Sequence, residues 1–153
     1  LAIASGDRNI SITYLLNGTI QSLKNIVPIP HEITKPKLLG RSLELQYGVL
    51  IGIIGDIKGK LIIAGQSATF GAIGEVMFGM ALEGEMLASF SGELGNMIAG
   101  SLATIIVEHG VNMDITSPTI IQGDVTLTGY DKAIQLTSMF ANAGDLEIYL
   151  LLD

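Results

Sequence analysis

The chain has 153 residues, enough for one domain with a real core, and 48% are apolar against 15% charged, which excludes a disordered polymer. A formal charge of -7 with eight scattered Lys and Arg excludes a binder of phosphate backbones, so nucleic acid is not an expected partner. The lack of cysteine removes disulfides, a thiol nucleophile and Cys-ligated metal, and it suits a reducing cytoplasm.

Residues 1–8 carry no basic leader pattern and read as a disordered start or cloning remnant, with the folded domain over 9–153. No uncharged run reaches the roughly 18 apolar residues a membrane span needs, so no insertion is expected. A helix is expected from Asn9 to Val27, weakened at Gly18 and ended by Pro28 and Pro30. His31 to Gly40, interrupted by Pro36, reads as an extended connector. Ser42–Gly55 and Lys60–Gln66 are β-branched and apolar, and Asp56-Ile57-Lys58-Gly59 between them marks a hairpin turn. Two helices follow, over Ala68–Met80 and about Glu85–Glu108, separated at Gly84. The second stops at His109-Gly110. Met113–Ile115, Thr119–Thr128, Ala133–Met139 and Asp145–Leu152 read as strands, with turns at Gly129-Tyr130-Asp131 and Asn142-Ala143-Gly144. Helices grouped apart from strands imply a single-domain α+β fold, a largely antiparallel sheet with long helices packed on it.

Most familiar chemistry fails on spacing. The Gly52–Lys60 stretch lacks the leading Gly and trailing Ser or Thr of a phosphate loop, so it reads as the hairpin. His31 and His109 have no acidic or Ser partner at a recognised spacing; His31 reads as a loop residue and His109 as a helix C-terminus. What remains is the segment from Ser89 to Gly100. Residues i, i+3 and i+4 share a helix face, so Ser89, Glu93 and Asn96 form one polar stripe. Leu94, Met97, Ile98 and Leu102 fall toward the sheet. Gly92 and Gly95 beside the stripe each cost about 1 kcal/mol of helix propensity. Two readings stay open at this point. The glycines bare a face to another molecule's backbone, with Glu93 and Asn96 projecting from it, or they serve packing within the chain and the two polar residues are simply solvated.

The segment resembles the signature of the CheC/CheX/FliY family of chemotaxis phosphatases, which sets Asp or Ser, then Glu, then Asn on one helix and a Pro further on. Ser89, Glu93, Asn96 and Pro118 match it. Gly92-Glu93-Leu94-Gly95-Asn96-Met97 and Asp114-Ile115-Thr116-Ser117-Pro118-Thr119 look most like the CheX branch. That resemblance implies a CheC/CheX-like fold over nearly the whole chain and a response-regulator aspartyl-phosphate phosphatase. It implies catalytic Glu93 and Asn96, with Ser89, Gly92, Gly95 and Pro118 in support. Asn96 would orient the attacking water, and Glu93 would pair with the regulator's active-site lysine. The partner would be a phosphorylated CheY-like regulator carrying its own Mg²⁺, with no cofactor or metal on this chain. A homodimer formed by joining sheets is also implied. Duplicated relatives carry two Glu-x-x-Asn helices, whereas Tyr14-Leu15-Leu16-Asn17 here has Tyr in place of Glu, implying one active site per chain. The alternative is a non-catalytic docking or flagellar-switch-related binding module.

Overall fold

A computed structural model describes residues 5–153, with side chains from residue 9 onward. The first helix, α1 (Ser5–Ile26), starts inside the 1–8 stretch that the sequence reading sets apart; residues 1–4 lie outside the described residues. On α1 the buried positions Ser11, Leu15, Gly18, Thr19, Ser22 and Leu23 recur at helical spacing. Three of the six carry hydroxyls, and Thr19 returns its proton to the Leu15 carbonyl at 2.6 Å. Gly18 is a contact point: a Cβ there would stand 2.8 Å from Leu102 Cδ1 on the third helix. Ile10, although apolar and on this helix, is 52% exposed.

The connector after Pro30 holds two short strands, β1 (His31–Ile33) and β2 (Lys37–Leu39), so His31 is a strand residue and not a loop residue. Both pair antiparallel with β7 (Lys132–Phe140). Pro36, with no N–H for a ladder, falls between them and keeps them from forming one strand. The hairpin is as expected: β3 (Leu43–Gly55) and β4 (Gly59–Gly65) pair from Gly48↔Ala64 to Ile53↔Gly59. Then come α2 (Ser67–Phe78) and α3 (Gly84–Glu108). Three strands besides β7 complete the chain: β5 (Met113–Ile115), β6 (Thr119–Leu127) and β8 (Gly144–Leu152).

The strands form one sheet in the order β1-β7-β8-β4-β3-β5, with β2 also on β7 and β6 also on β3. Every described pairing is antiparallel. Its centre is buried on both faces. Leu61 and Ile63 of β4 join the main core under the helices, while Ile62 and Ala64 point the other way into a second cluster with Leu45, Tyr149 and Leu151. α3 lies on the main core through Leu94, Ile98, Leu102 and Ile106, all fully buried, and α1 and α2 flank it. By length and composition α3 could cross a membrane, with a mean hydropathy of 1.3 over its most apolar window. Half of that window is buried within the domain, and packing on the sheet accounts for its apolar character. At its end His109 caps the helix, its ring stacked on Tyr14 at 4.1 Å, and Gly110 turns the chain at φ 82°.

Candidate functional site

The core-facing row of α3 sets where its other residues point. With Leu94 and Ile98 inward, Ser89 and Glu93 are exposed and Asn96 is half-buried on the outer face. The structure therefore brings the three together along about two turns of one helix. No side-chain hydrogen bond links Ser89 to Glu93 among the described residues, and both are open to an incoming group.

Gly92 and Gly95 both fall to the second of the two open readings. A Cβ on Gly95 would stand 2.8 Å from Val49 Cγ1 and 3.2 Å from Ile51 Cδ1, so this residue faces the sheet. A Cβ on Gly92 would stand 3.3 Å from Ile120 Cδ1 and 3.8 Å from Pro118 Cγ. Both are buried, so both serve packing within the chain: they let α3 settle onto β3 and β6. The bare position on the outer face is Gly100. It follows Asn96 by four residues, and a Cβ there would meet nothing within 4 Å. Only the i+4 spacing from Asn96 could have singled it out.

Pro118 lies beside this helix on a strap between β5 and β6. Across that gap Thr116 takes over from the ladder. Its hydroxyl accepts the Gly52 N–H at 2.8 Å, and its own N–H donates to the Gly52 carbonyl at 3.0 Å. Beneath α3, Ser91 donates to the Leu87 carbonyl at 2.8 Å. The Tyr47 hydroxyl lies 2.9 Å from Ser91 Oγ, and since the serine proton is already committed, Tyr47 is the donor. Sequence reading missed both Tyr47 and Thr116, because each matters only through a contact with a distant segment.

Near the start of α3 a groove of about 660 Å³ runs between the end of α2 and the first three turns of α3. Ser89 and Glu93 form one wall, Phe78, Met80 and Met86 are its exposed apolar lining, and Glu85 borders it. The surroundings are acidic. From Leu61 to Asp131 the sequence has no Lys or Arg, while α2, α3 and their connection carry Glu75, Glu83, Glu85, Glu93 and Glu108. Among the described residues no three His, Cys, Asp or Glu gather as a metal site. The arrangement offers one carboxylate and one carboxamide on a rigid, outward helix face, able to hold a cation and to orient a water, but without a nucleophile–base pair.

The sequence profile of the chemotaxis phosphatase CheX family matches residues 47–139, a span that opens at Tyr47 and includes the α3 face and the Thr116–Pro118 strap. The chain belongs to the CheX family of chemotaxis phosphatases. Within the broader CheC/CheX/FliY group, the CheY-P phosphatase CheX of Thermotoga maritima is 28% identical over 145 residues, which cover 91% of this chain and 93% of that protein. A chemotaxis CheX from Desulfovibrio desulfuricans has the same fold, with a TM-score of 0.78 at 17% identity over 94% of this chain and 99% of that one. So does the CheX in a CheX–CheY–BeF₃–Mg²⁺ complex from Borrelia burgdorferi, with a TM-score of 0.77 at 22% identity over 93% and 97%. The CheC/CheX-like α+β architecture expected from the sequence is the one observed.

Proposed function

We propose that this chain accelerates hydrolysis of the aspartyl phosphate on a CheY-type response regulator, working in the cytoplasm. The observation that carries this reading is the pairing of Glu93 and Asn96 on the outer face of α3 in a chain of the CheX family. A phosphorylated regulator already holds the phosphoryl group and Mg²⁺, so hydrolysis lacks mainly a water held in line with the scissile bond. Phosphoryl transfer is catalysed chiefly by positioning and charge stabilisation. In this reading the Asn96 carboxamide enters the regulator's site and orients that water. It both donates and accepts hydrogen bonds but is no general base at neutral pH. Glu93 pairs with the regulator's active-site lysine and docks the helix. Ser89, one turn earlier, hydrogen-bonds that assembly, while Gly92, Gly95 and Pro118 hold α3 at its height above the sheet. The complex of a Borrelia CheX with a CheY bearing BeF₃ and Mg²⁺ supports the choice of partner. Two copies of this chain join through sheet edges, for which β6 on one side and the β1–β2 pair on the other are available.

The test is the decay rate of a phosphorylated CheY-type regulator with and without the protein. Asn96→Ala is expected to slow the accelerated decay about 10²-fold while regulator binding persists, since it removes only the group that positions water. Glu93→Ala is expected to weaken both binding and turnover. Binding without acceleration by the unsubstituted chain would instead indicate a docking or flagellar-switch-related module. Equal loss of both properties in both variants would indicate a disturbed helix.

A further inference from the structure

We propose that the groove at the α2–α3 junction is a second docking subsite for the regulator, taking an apolar side chain that the regulator presents next to a basic residue. This rests on the regulator being the partner of the Glu93–Asn96 face.

The first ground is exposure without strain. Phe78, Met80 and Met86 are 59, 53 and 55% exposed, a concentration of large apolar side chains that a solvated surface does not need. Their display is built in. Gly79 ends α2 in the left-handed conformation at φ 72°, its N–H on the Glu75 carbonyl at 2.7 Å, and Met80 beyond it is exposed. Leu82 then plugs the connection into the core. Phe78 is held edge-on against Phe90 at 5.6 Å, so the groove floor is rigid while its methionines are adaptable.

The second ground is continuity. Ser89 and Glu93 are walls of this groove, so a protein that meets Glu93 also covers the groove. Along α3, Asn96 is about 10 Å from Ser89 and about 16 Å from Glu85. A stable interface covers about 800 Å² on each partner, a patch of about 16 Å radius. A regulator centred on Asn96 therefore reaches the groove.

The third ground is charge. Glu85 and Glu93 border the apolar floor, and no Lys or Arg is among the residues that line the groove. Such a surface repels acidic partners and favours one whose apolar contact is flanked by Lys or Arg.

The experiment titrates each variant with a CheY-type regulator from the same organism, held active by beryllofluoride and Mg²⁺, and separately follows decay of the phosphorylated regulator. Met80→Ser and Met86→Ser lie on the surface and should leave the thermal midpoint near that of the unsubstituted protein. Together they should weaken regulator binding about tenfold. The regulator concentration for half-maximal decay should rise in parallel, with little change in the rate at saturation. Glu85→Lys should weaken binding more at low salt than at high salt. Unchanged affinity in the double variant would overturn the groove and leave the proposed phosphatase standing. Groove-dependent binding without any accelerated decay would keep the groove and remove the phosphatase. A shift in the protein's own sedimentation, with regulator binding intact, would assign the groove to a second copy and overturn the inference.

Discussion

A methyl group added at Gly95, Gly92 or Gly100 reads out how α3 sits on the sheet and what its outer face leaves open. Gly→Ala within a helix gains about 0.5–1 kcal/mol when the new methyl meets nothing, because the unfolded chain loses freedom and propensity improves. Gly100 is that case, so Gly100→Ala should raise stability by this amount and the thermal midpoint by about 1–4 °C for a domain of this size. At Gly95 the same gain is opposed by overpacking. The new carbon would stand 2.8 Å from Val49 Cγ1, and Val49 is fully buried and stiff at χ1, so it cannot step aside. Overpacking of a tight core costs about 1–3 kcal/mol, so the gain is cancelled or outweighed and Gly95→Ala should show a net loss of up to about 2.5 kcal/mol. Gly92→Ala meets the terminal Cδ1 of the half-buried Ile120 at 3.3 Å and should fall within about 0.5 kcal/mol of the unsubstituted protein. Urea denaturation of the three variants gives the order directly. Gly95→Ala as stable as Gly100→Ala would refute the seating of α3 on Val49 and Ile51. Gly100→Ala also places its methyl on the outer face, so its gain in stability should come with weaker regulator binding.

Thr116→Val keeps the shape of the strap but removes the acceptor for the Gly52 N–H, at a cost of about 0.5–1.5 kcal/mol. Amide exchange at Gly52 should quicken, and unchanged protection there would show that the hydroxyl does not carry the strap. Tyr149, on the far face of the sheet, is held above the usual tyrosine range by burial and, secondly, by the nearby Glu147 carboxylate. Its folded form therefore keeps a proton that the unfolded chain gives up near its ordinary pKa of about 10. The associated stability is complete below that pH and is lost as pH rises through the folded value. Tyr149→Phe should flatten the alkaline fall in denaturation midpoint between about pH 9 and about pH 11. An equally steep fall in both proteins would place the alkaline sensitivity elsewhere.

Much of this protein was decided by local sequence. Pro28 and Pro30 end α1, Asp56 to Gly59 turn the hairpin, and Gly110 stops α3, since each acts on its own backbone. The polar stripe of Ser89, Glu93 and Asn96 was legible for the same reason: helical spacing alone puts them on one face. β1 and β2 were not legible as strands. Three residues carry no alternation, and they are strands only because β7 offers them an edge. Ile10 shows the same limit, since its place in an apolar pattern did not bury it. The division of the glycines was beyond the sequence altogether. Gly92, Gly95 and Gly100 are equivalent to a propensity scale, and only the positions of Val49, Ile51 and Ile120 make two of them packing residues and leave the third bare. The bond from Tyr47 to Ser91, the one from Gly52 to Thr116 and the Met80–Met86 groove likewise join segments far apart in the chain. What a residue does to its own backbone is written beside it, and what it meets across the core is decided by the whole fold.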